Sequence, residues 1–332
     1  MSETPKYTRK DFKSDLDIRW CSGCGDYFVT QALQNVWASA GIPKEDFLVV
    51  SGIGCSSRFP YYTNTYGFHT IHGRAPTVAL GAKVANPNLN VWVITGDGDA
   101  MSIGGNHILH LMRRNPDIKV VLFNNEIYGL TKGQTSPTSP MGTKTKSSPL
   151  GSVDLPLNPL EVALSAGATF VARTVDTNLA HMKEVFTAAL HHKGAAFIEV
   201  YTTCVIFNDG VFDEFEKRNL RKEATVELKE GSELIYGAKS DKKLDWMGFS
   251  FEKADAEKEA NYKFSSNPGH KNAARALVDL KNPDFPLPVG IFYKEEKDTF
   301  CGAYNEQQKI AEEACDKDLG KLFSKGQTWD AK

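Results

Sequence analysis

Two polar motifs, each placed directly after a short apolar run, constrain the fold of this 332-residue chain more than any other feature. The motif Gly96–Asp99 reads Gly-Asp-Gly-Asp and follows the run Val91–Thr95, whereas Asn124–Gly129 follows the run Lys119–Phe123. Both runs have the composition of buried strands, and a helix-like segment separates them. We therefore predict two strands of an open α/β sheet, whose ligands bind beyond the carboxyl ends of the strands.

Strand-like and helix-like patterns alternate from about residue 18 to residue 201, which predicts a doubly wound parallel sheet covered by helices on both faces. The candidate strands are Phe47–Val50, Val91–Thr95, Lys119–Asn124, Thr169–Arg173 and Ala196–Thr202. After Asn208 the alternation is lost among charged stretches. The predicted layout is a polar N-terminal arm (1–17), an α/β domain that binds the cofactors (18–207), and a C-terminal extension (208–332). The extension either lies over a partner subunit or forms a small subdomain.

The two motifs have the chemistry of a magnesium–diphosphate site. Glycines let the backbone approach phosphate closely, and Mg²⁺ takes oxygen ligands in near-octahedral geometry, usually one or two carboxylates plus phosphate oxygens. Asp97, the amide oxygen of Asn125 and a nearby carbonyl match this preference. A tight turn would explain either motif alone. Their joint occurrence after two strands favours the cofactor site.

Four of the six cysteines stand in unusual settings, either as a Cys-x-x-Cys pair before a helix or directly after a strand. These are Cys21, Cys24, Cys55 and Cys204. In an intracellular chain such spacing favours metal or redox chemistry over disulfides. A zinc site usually shows two close pairs, and a redox dithiol leaves Cys55 and Cys204 unexplained, whereas a [4Fe–4S] cluster uses all four. Burial as ordinary core residues is the remaining alternative, and it suits Cys301 and Cys315.

Together these segments resemble the β subunits of 2-oxoacid:ferredoxin oxidoreductases, over roughly residues 15–210. The likeness is carried by Trp20–Gly25, Gly52–Ser57, Gly67–Ala75, Gly96–Asp99, Asn124–Gln134 and Cys204. It implies the thiamin-diphosphate-binding fold, Mg²⁺ held by Asp97, Asn125 and the carbonyl of Ile127, and one [4Fe–4S] cluster on the four cysteines. The residues implied to bind the cofactors are Ile53, Gly54, Cys55, Ser56, His72, Gly96, Asp97, Gly98, Asp99, Asn125, Ile127, Tyr128, Gly129, Leu130 and Thr131.

The resemblance also implies an activity, the reversible, coenzyme A-acylating oxidative decarboxylation of a 2-oxo acid with ferredoxin as electron acceptor. The segment Gly67–Ala75 and Arg58 look most like the 2-oxoglutarate branch, which forms succinyl-CoA; pyruvate or branched-chain 2-oxo acids are the alternative. No Glu stands on a motif suited to activate the thiamin, and in this family the partner α subunit supplies it. An (αβ)n assembly is therefore expected. A zinc-stabilised, non-catalytic assembly subunit is the competing hypothesis.

Two side chains outside the motifs are candidates for catalysis. Arg58 stands three residues after Cys55, where a guanidinium could bind a substrate carboxylate; a surface role is the alternative. His72 belongs to a polar cluster at the start of the predicted helix Ile71–Val84, a position that suits an anion, with helix capping as the alternative. The long loop Thr131–Val153 follows the metal motif and is predicted to be a lid rather than a plain surface loop.

Charge and hydropathy exclude some partners. A formal net charge of −2 gives no reason to expect nucleic acid or an anionic membrane as a partner. The sequence has no run of about 20 apolar residues and no signal-peptide pattern, so we expect a cytoplasmic protein.

Overall fold

The computed structural model of the chain describes residues 5–327 and 329. The strands are β1 Phe47–Ser51, β2 Tyr66–His69, β3 Asn90–Gly96, β4 Ile118–Asn124, β5 Ile127–Tyr128, β6 Gln134–Thr135, β7 Phe170–Val175, β8 Ala196–Tyr201, β9 Thr225–Leu228, β10 Leu234–Tyr236, β11 Lys242–Trp246, β12 Phe251–Asp255 and β13 Leu287–Lys294. The helices are α1 Asp26–Ser39, α2 Ala75–Ala85, α3 Gly105–Arg114, α4 Pro159–Ser165, α5 Leu179–His191, α6 Asp213–Glu216, α7 Arg218–Ala224, α8 Lys271–Asp279, α9 Phe300–Ala314 and α10 Leu319–Phe323. Short 3₁₀ or π turns cover Arg9–Phe12, Lys44–Asp46, Ser56–Tyr62, Asp99–Ile103 and Pro268–His270.

Eight strands form the central sheet, in the order β2-β1-β3-β4-β8-β7-β13-β9. Neighbouring strands are parallel except where β13 runs antiparallel to β7. The predicted doubly wound α/β fold is thus confirmed. All five predicted strands are present within one or two residues of their expected bounds, because continuous apolar runs are typical of strands buried on both faces.

The side chains of the sheet alternate between two apolar cores. On one face α1 and α5 pack against residues such as Trp92 and Ile198, with the buried Trp37 ring 5.7 Å from the Trp92 ring. On the other face α2, α3, α4 and α8 cover residues such as Val93 and Val120. Helices on both faces leave the carboxyl ends of the strands as the place where loops gather.

The segment beyond residue 208 does not lie apart from the sheet, so the expected loss of strand–helix alternation was wrong. Strands β9 and β13 join the central sheet, and α8 packs against its core. The run Leu287–Lys294 hides its strand character because it contains Pro288 and Gly290, residues uncommon inside strands. Strands β10, β11 and β12 form a separate three-stranded sheet. That this region contacts a partner stays a prediction.

Two local features near the motifs also differ from expectation. Strand β2 was missed because all four of its residues are exposed at the sheet edge and show no buried face. Helix α2 begins at Ala75 rather than Ile71, because Gly73 adopts a positive φ of 71° in the turn before it. Among the described residues no helix combines the length and apolarity that crossing a membrane would need.

Candidate active site

A cavity opens at the carboxyl ends of β1, β3 and β4, and it is lined by every residue that the resemblance assigned to cofactor binding. Asp97 follows β3 and Asn125 follows β4. These strands pair in parallel with Gly96 opposite Phe123, so the loops that follow them meet at one edge. Asp26, which was not among the predicted site residues, also lines the cavity. Whether the cavity binds the cofactors stays a prediction.

Gly98 lets the two motifs touch. A Cβ atom at Gly98 would lie 2.1 Å from Cε1 of Tyr128, a distance that no side chain can occupy. The Tyr128 hydroxyl also donates a hydrogen bond of 3.0 Å to the Gly98 carbonyl. The absence of a side chain at Gly98 therefore keeps the turn after β3 in contact with the turn after β4.

Asp99 lines the cavity, but its carboxylate is engaged inside the protein. One oxygen accepts hydrogen bonds from the backbone N–H groups of Ile53, at 3.0 Å, and of Gly73, at 2.7 Å. The other oxygen accepts from the Thr95 hydroxyl at 2.6 Å. Asp99 thereby ties together three loops of the cavity wall. Gly52 must also lack a side chain, because a Cβ atom there would lie 1.9 Å from an oxygen of the Asp99 carboxylate.

The Asp97 carboxylate is buried and accepts two hydrogen bonds from side chains. Ser136 Oγ donates at 2.5 Å and Thr138 Oγ1 at 2.7 Å, both to Oδ2. Burial raises the pKa of Asp97 to about 6, while the two hydroxyl donors act in the opposite direction. Asp97 is therefore largely ionised at neutral pH, as a magnesium ligand must be.

Hydrogen bonds to other parts of the chain hold the second motif, Asn124–Gly129, at two of its residues. The buried Asn124 donates through Nδ2 to Glu199 at 2.8 Å, and Glu199 pairs with the buried Arg173 at 2.7 Å. The Asn125 carbonyl accepts from the Asn208 amide at 2.9 Å. Glu126 has a positive φ of 55°, and burial together with Asp97 raises its pKa to about 8. The strained turn presents its neighbours Asn125 and Ile127 to the cavity.

The oxygen donors at this edge fit Mg²⁺. One carboxylate, one amide oxygen and one backbone carbonyl line the same cavity, and hard cations of this kind take such ligands. In residues 5–327 and 329, no three His, Cys, Asp or Glu side chains are grouped so that they could hold a metal ion. A magnesium site completed by diphosphate oxygens does not need such a group, because it takes only one or two carboxylates.

Of the cysteines predicted to act together, Cys55 lines the cavity. Gly129 separates two of them, since a Cβ placed on it would lie 3.3 Å from Sγ of Cys204 and 3.8 Å from Sγ of Cys55. Cys24 and Cys21 begin the turn that leads into α1. Cys21 is exposed, and the other three are partly buried. Residues from three distant parts of the chain thus converge beside the turn after β4.

The thiols of Cys24 and Cys55 do not favour the thiolate form on their own. Burial, reinforced by the Asp26 carboxylate, raises the pKa of Cys55 to about 12 and also raises that of Cys24. Neighbouring thiols add to both shifts. Thiolate ligands in such a place need the positive charge of bound iron to stay deprotonated. Among the described residues these thiols are not grouped so that they could hold a single metal ion, whereas the four irons of a [4Fe–4S] cluster separate its four thiolate ligands more widely.

The two candidate catalytic side chains differ in position. His72 lines the cavity, and its Nδ1 lies 2.6 Å from Oδ1 of Asp99. Arg58 is absent from the cavity lining and donates instead to the Tyr62 hydroxyl at 3.0 Å. Its positive charge nevertheless reaches Cys55, whose pKa it lowers in opposition to burial. Catalytic roles for both stay predictions.

Sequence reasoning missed three polar residues at this site. Asp26 is buried at the start of α1, and burial raises its pKa to about 7. Its only sequence signal is its position two residues after Cys24. Ser136 and Thr138 lie in the loop predicted to be a lid, and their bonds to Asp97 span about 40 residues of chain. No local sequence pattern indicates contacts between residues so far apart in the chain.

Comparisons with known proteins identify relatives of this chain. Residues 52–200 match the thiamine pyrophosphate enzyme, C-terminal TPP binding domain family. The chain is 51% identical to 2-oxoglutarate oxidoreductase subunit KorB of Mycobacterium tuberculosis, over 74% of this chain and 65% of that protein. It is 45% identical to 2-oxoacid:ferredoxin oxidoreductase 1, subunit beta, of Aeropyrum pernix, over 64% of this chain and 66% of that protein. The chain thus spans about two thirds of the length of these relatives, or slightly less.

A solved structure extends the likeness over the whole chain. A chain of 2-oxoglutarate:ferredoxin oxidoreductase from Magnetococcus marinus, with 2-oxoglutarate, coenzyme A and succinyl-CoA bound, superposes with a TM-score of 0.77. The two are 30% identical, and the match covers 98% of each chain. The region beyond residue 208, which sequence motifs alone did not connect to the family, is therefore included in the structural match.

Proposed function

Since the chain belongs to the family of 2-oxoacid:ferredoxin oxidoreductase β subunits, we propose that it is the cofactor-binding subunit of a 2-oxoglutarate:ferredoxin oxidoreductase. The reaction is the reversible oxidative decarboxylation of 2-oxoglutarate to succinyl-CoA and CO₂. Electrons pass through a [4Fe–4S] cluster of this chain to ferredoxin.

One observation carries the proposal, the position of Gly129 between the two halves of the site. The predicted magnesium ligands Asn125 and Ile127 line the cavity, and Gly129, two residues after Ile127, lies beside the thiols of Cys55 and Cys204. A thiamin decarboxylase without redox chemistry has no use for the four cysteines, and a zinc-stabilised subunit has no use for the oxygen ligands. Only an enzyme that both forms a carbanion and removes electrons uses both.

Each group of residues then has a defined task. Thiamin diphosphate, when bound, supplies the electron sink that lets a 2-oxo acid lose CO₂. Asp97, Asn125 and the Ile127 carbonyl hold Mg²⁺ against the diphosphate. Gly98 lets the backbone approach the phosphates closely. The four cysteines would hold the cluster, and His72 would contribute a polar group to the lining of the cavity.

The remaining parts of the reaction come from elsewhere. A partner α subunit supplies the Glu that activates the aminopyrimidine, coenzyme A takes the acyl group, and the assembly is (αβ)n. Free thiols in these numbers suit a reducing compartment, so we place the enzyme in the cytoplasm.

Two findings support 2-oxoglutarate over pyruvate or branched-chain acids as the substrate. The M. tuberculosis relative is named for 2-oxoglutarate, and the M. marinus structure was solved with that acid bound. Arg58 offers a charge for the second carboxylate, which pyruvate lacks. Arg58 lies outside the cavity lining, bonded to the Tyr62 hydroxyl, but close enough to Cys55 for its charge to lower the pKa of that thiol.

Co-purification with the α subunit under anaerobic conditions tests the class of enzyme. We expect four irons and four sulfides per chain, and ferredoxin reduction that requires thiamin diphosphate, a 2-oxo acid and coenzyme A. Zinc in place of iron, or ferredoxin reduction unaffected by removal of the 2-oxo acid, would overturn the proposal.

Replacement of Arg58 tests the substrate. Loss of a charge-assisted pair costs about 1.5–3 kcal/mol, or roughly ten- to hundredfold in affinity. Arg58→Ala should therefore raise the KM for 2-oxoglutarate much more than the KM for a monocarboxylic 2-oxo acid. Equal effects on both would assign Arg58 to the shared 2-oxo carboxylate or to the loop, and no effect would assign the distal carboxylate to the partner.

A further inference from the structure

The segment Ser136–Ser139 lies beneath the two metal-binding turns and presents three hydroxyl groups to them. It directly follows β6, which pairs antiparallel with β5 so that Thr135 stands opposite Ile127. The side chains of Ser136, Thr138 and Ser139 are all buried. Part of the loop predicted to be a lid is therefore fastened to the floor of the site.

The first contact concerns Asp97, the charged ligand expected for magnesium. Ser136 Oγ and Thr138 Oγ1 both donate to the same oxygen, Oδ2. Among the hydrogen bonds of the described residues, no side-chain donor occupies Oδ1. Two side-chain donors on one oxygen fix the rotation of the carboxylate, so that no side chain competes with a metal for the other oxygen, although the backbone N–H groups of Gly98 and Asp97 also act on the carboxylate.

The second contact concerns the turn that carries Asn125 and Ile127. The Thr138 hydroxyl has a single proton, which it donates to Asp97, so its 2.9 Å approach to Oδ1 of Asn124, the residue that precedes Asn125, is a packing contact rather than a second hydrogen bond. Ser139 Oγ donates at 2.5 Å to the carbonyl of Glu126, which stands between the two ligands. The Ser136 backbone N–H in turn donates to Ser139 Oγ at 2.8 Å. One short segment thus contacts both halves of the metal site.

We infer that Ser136 and Thr138 are positioning residues for Mg²⁺, which hold Asp97 and the Asn124–Ile127 turn in the geometry that the ion requires. The inference rests on the proposed function, because it assumes that magnesium and thiamin diphosphate bind in this cavity. Mg²⁺ tolerates little departure from octahedral geometry, so ligand orientation decides its affinity. Loss of outer-shell partners of metal ligands typically weakens metal binding 10- to 100-fold.

Titration of Mg²⁺ against thiamin diphosphate binding, by calorimetry on the purified αβ complex, tests the inference without turnover. Ser136→Ala and Thr138→Val, which removes the hydroxyl with little change in shape, should each raise the Mg²⁺ concentration for half-saturation about 10- to 100-fold. At saturating Mg²⁺ the affinity for thiamin diphosphate should return close to that of the wild type. Thr138→Ser keeps the hydroxyl and should behave like the wild type.

Thr143→Val is the matched control, because the Thr143 hydroxyl donates to the Pro140 carbonyl in the same loop, away from Asp97. Wild-type Mg²⁺ dependence in both Ser136→Ala and Thr138→Val would overturn the inference and leave the proposed function intact. Equal loss of thiamin diphosphate affinity at all Mg²⁺ concentrations would also overturn it, since the loop would then merely support the cavity. Thiamin diphosphate binding that needs no Mg²⁺ in the wild type would overturn the proposed function itself. If Thr138→Val fails to fold, Ser136→Ala decides.

Discussion

The two halves of the site are held in opposite ways. The magnesium half, formed by Asp97, Asn125 and Ile127, is surrounded by hydrogen bonds that the chain makes with itself. The cysteine half, formed by Cys21, Cys24, Cys55 and Cys204, contains thiols whose pKa values are raised at Cys24 and Cys55 by burial and by nearby carboxylates. The first half is held by hydrogen bonds within the chain itself. The second depends on its metal for a favourable state, and its assembly should therefore be coupled to metal insertion.

Removal of one cysteine should have the largest effect, because no hydrogen-bond network replaces a missing iron ligand. Cys55→Ala should remove most of the iron and bleach the iron–sulfur absorbance near 400 nm. Iron analysis and the visible spectrum measure this. Cys301→Ala is the control, since Cys301 is buried in α9 apart from the cavity. Full iron content in Cys55→Ala would contradict the difference described above between the magnesium half and the cysteine half.

Replacement of Asp97 should abolish magnesium-dependent binding but spare the fold. Asp97→Ala removes the charged ligand, and its effect on the Mg²⁺ requirement should exceed the roughly 10- to 100-fold expected for an outer-shell partner. Calorimetry with thiamin diphosphate measures it. The iron content should be unchanged, because the cysteine half does not use Asp97. Asp154→Ala, an exposed change in the following loop, should leave both quantities unaltered.

The carboxyl group of Asp176, beside Gly25, should make the stability of the fold depend on pH. Asp176 is buried against Gly25, and burial with the Glu216 carboxylate raises its pKa to about 8. Because the folded pKa lies above the unfolded value near 4, the protonated form stabilises the fold at low pH. That contribution is lost as pH rises towards 8. Asp176→Asn imitates the protonated form, so it should raise Tm at pH 8 by a few degrees and much less at pH 5.

Thermal unfolding of the αβ complex at both pH values measures this effect. Glu214→Gln, on the nearby helix α6 but exposed, should show no such pH-dependent gain. An equal shift at both pH values would mean that Asp176 acts through packing rather than through its proton.

The smallest effect is expected from the loss of the Tyr128 hydroxyl, because other hydrogen bonds also hold the magnesium half. Tyr128→Phe removes the hydroxyl bond to the Gly98 carbonyl but keeps the ring against the turn. A single hydrogen bond contributes about 1 kcal/mol, so thiamin diphosphate should bind roughly fivefold more weakly. Tyr304→Phe on α9 is the control. A loss as large as that of Asp97→Ala would show that this half is less redundant than its hydrogen bonds indicate.

Sequence patterns predicted the central sheet and the meeting of the two motifs because both follow from local signals. An apolar run followed by glycine and polar residues occupies about ten consecutive residues, so the pattern can be recognised locally. The supporting contacts are different. They join residues that lie far apart in sequence and that only the fold brings together. Examples are the hydrogen bonds from Ser136 and Thr138 to Asp97 and the burial of Asp26 and Asp176. Edge strand β2 carries no buried face and so no periodic signal.

Gly129 has a consequence for electron transfer. It lies two residues after Ile127, and consecutive Cα atoms are about 3.8 Å apart, so at most roughly 7.6 Å of backbone separates the Cα of a magnesium ligand from the Cα beside two cluster thiols. Under the proposed function, one short stretch of backbone therefore connects a magnesium ligand to the surroundings of the cluster within a single subunit. Binding of the α subunit or of ferredoxin would leave this covalent connection unchanged.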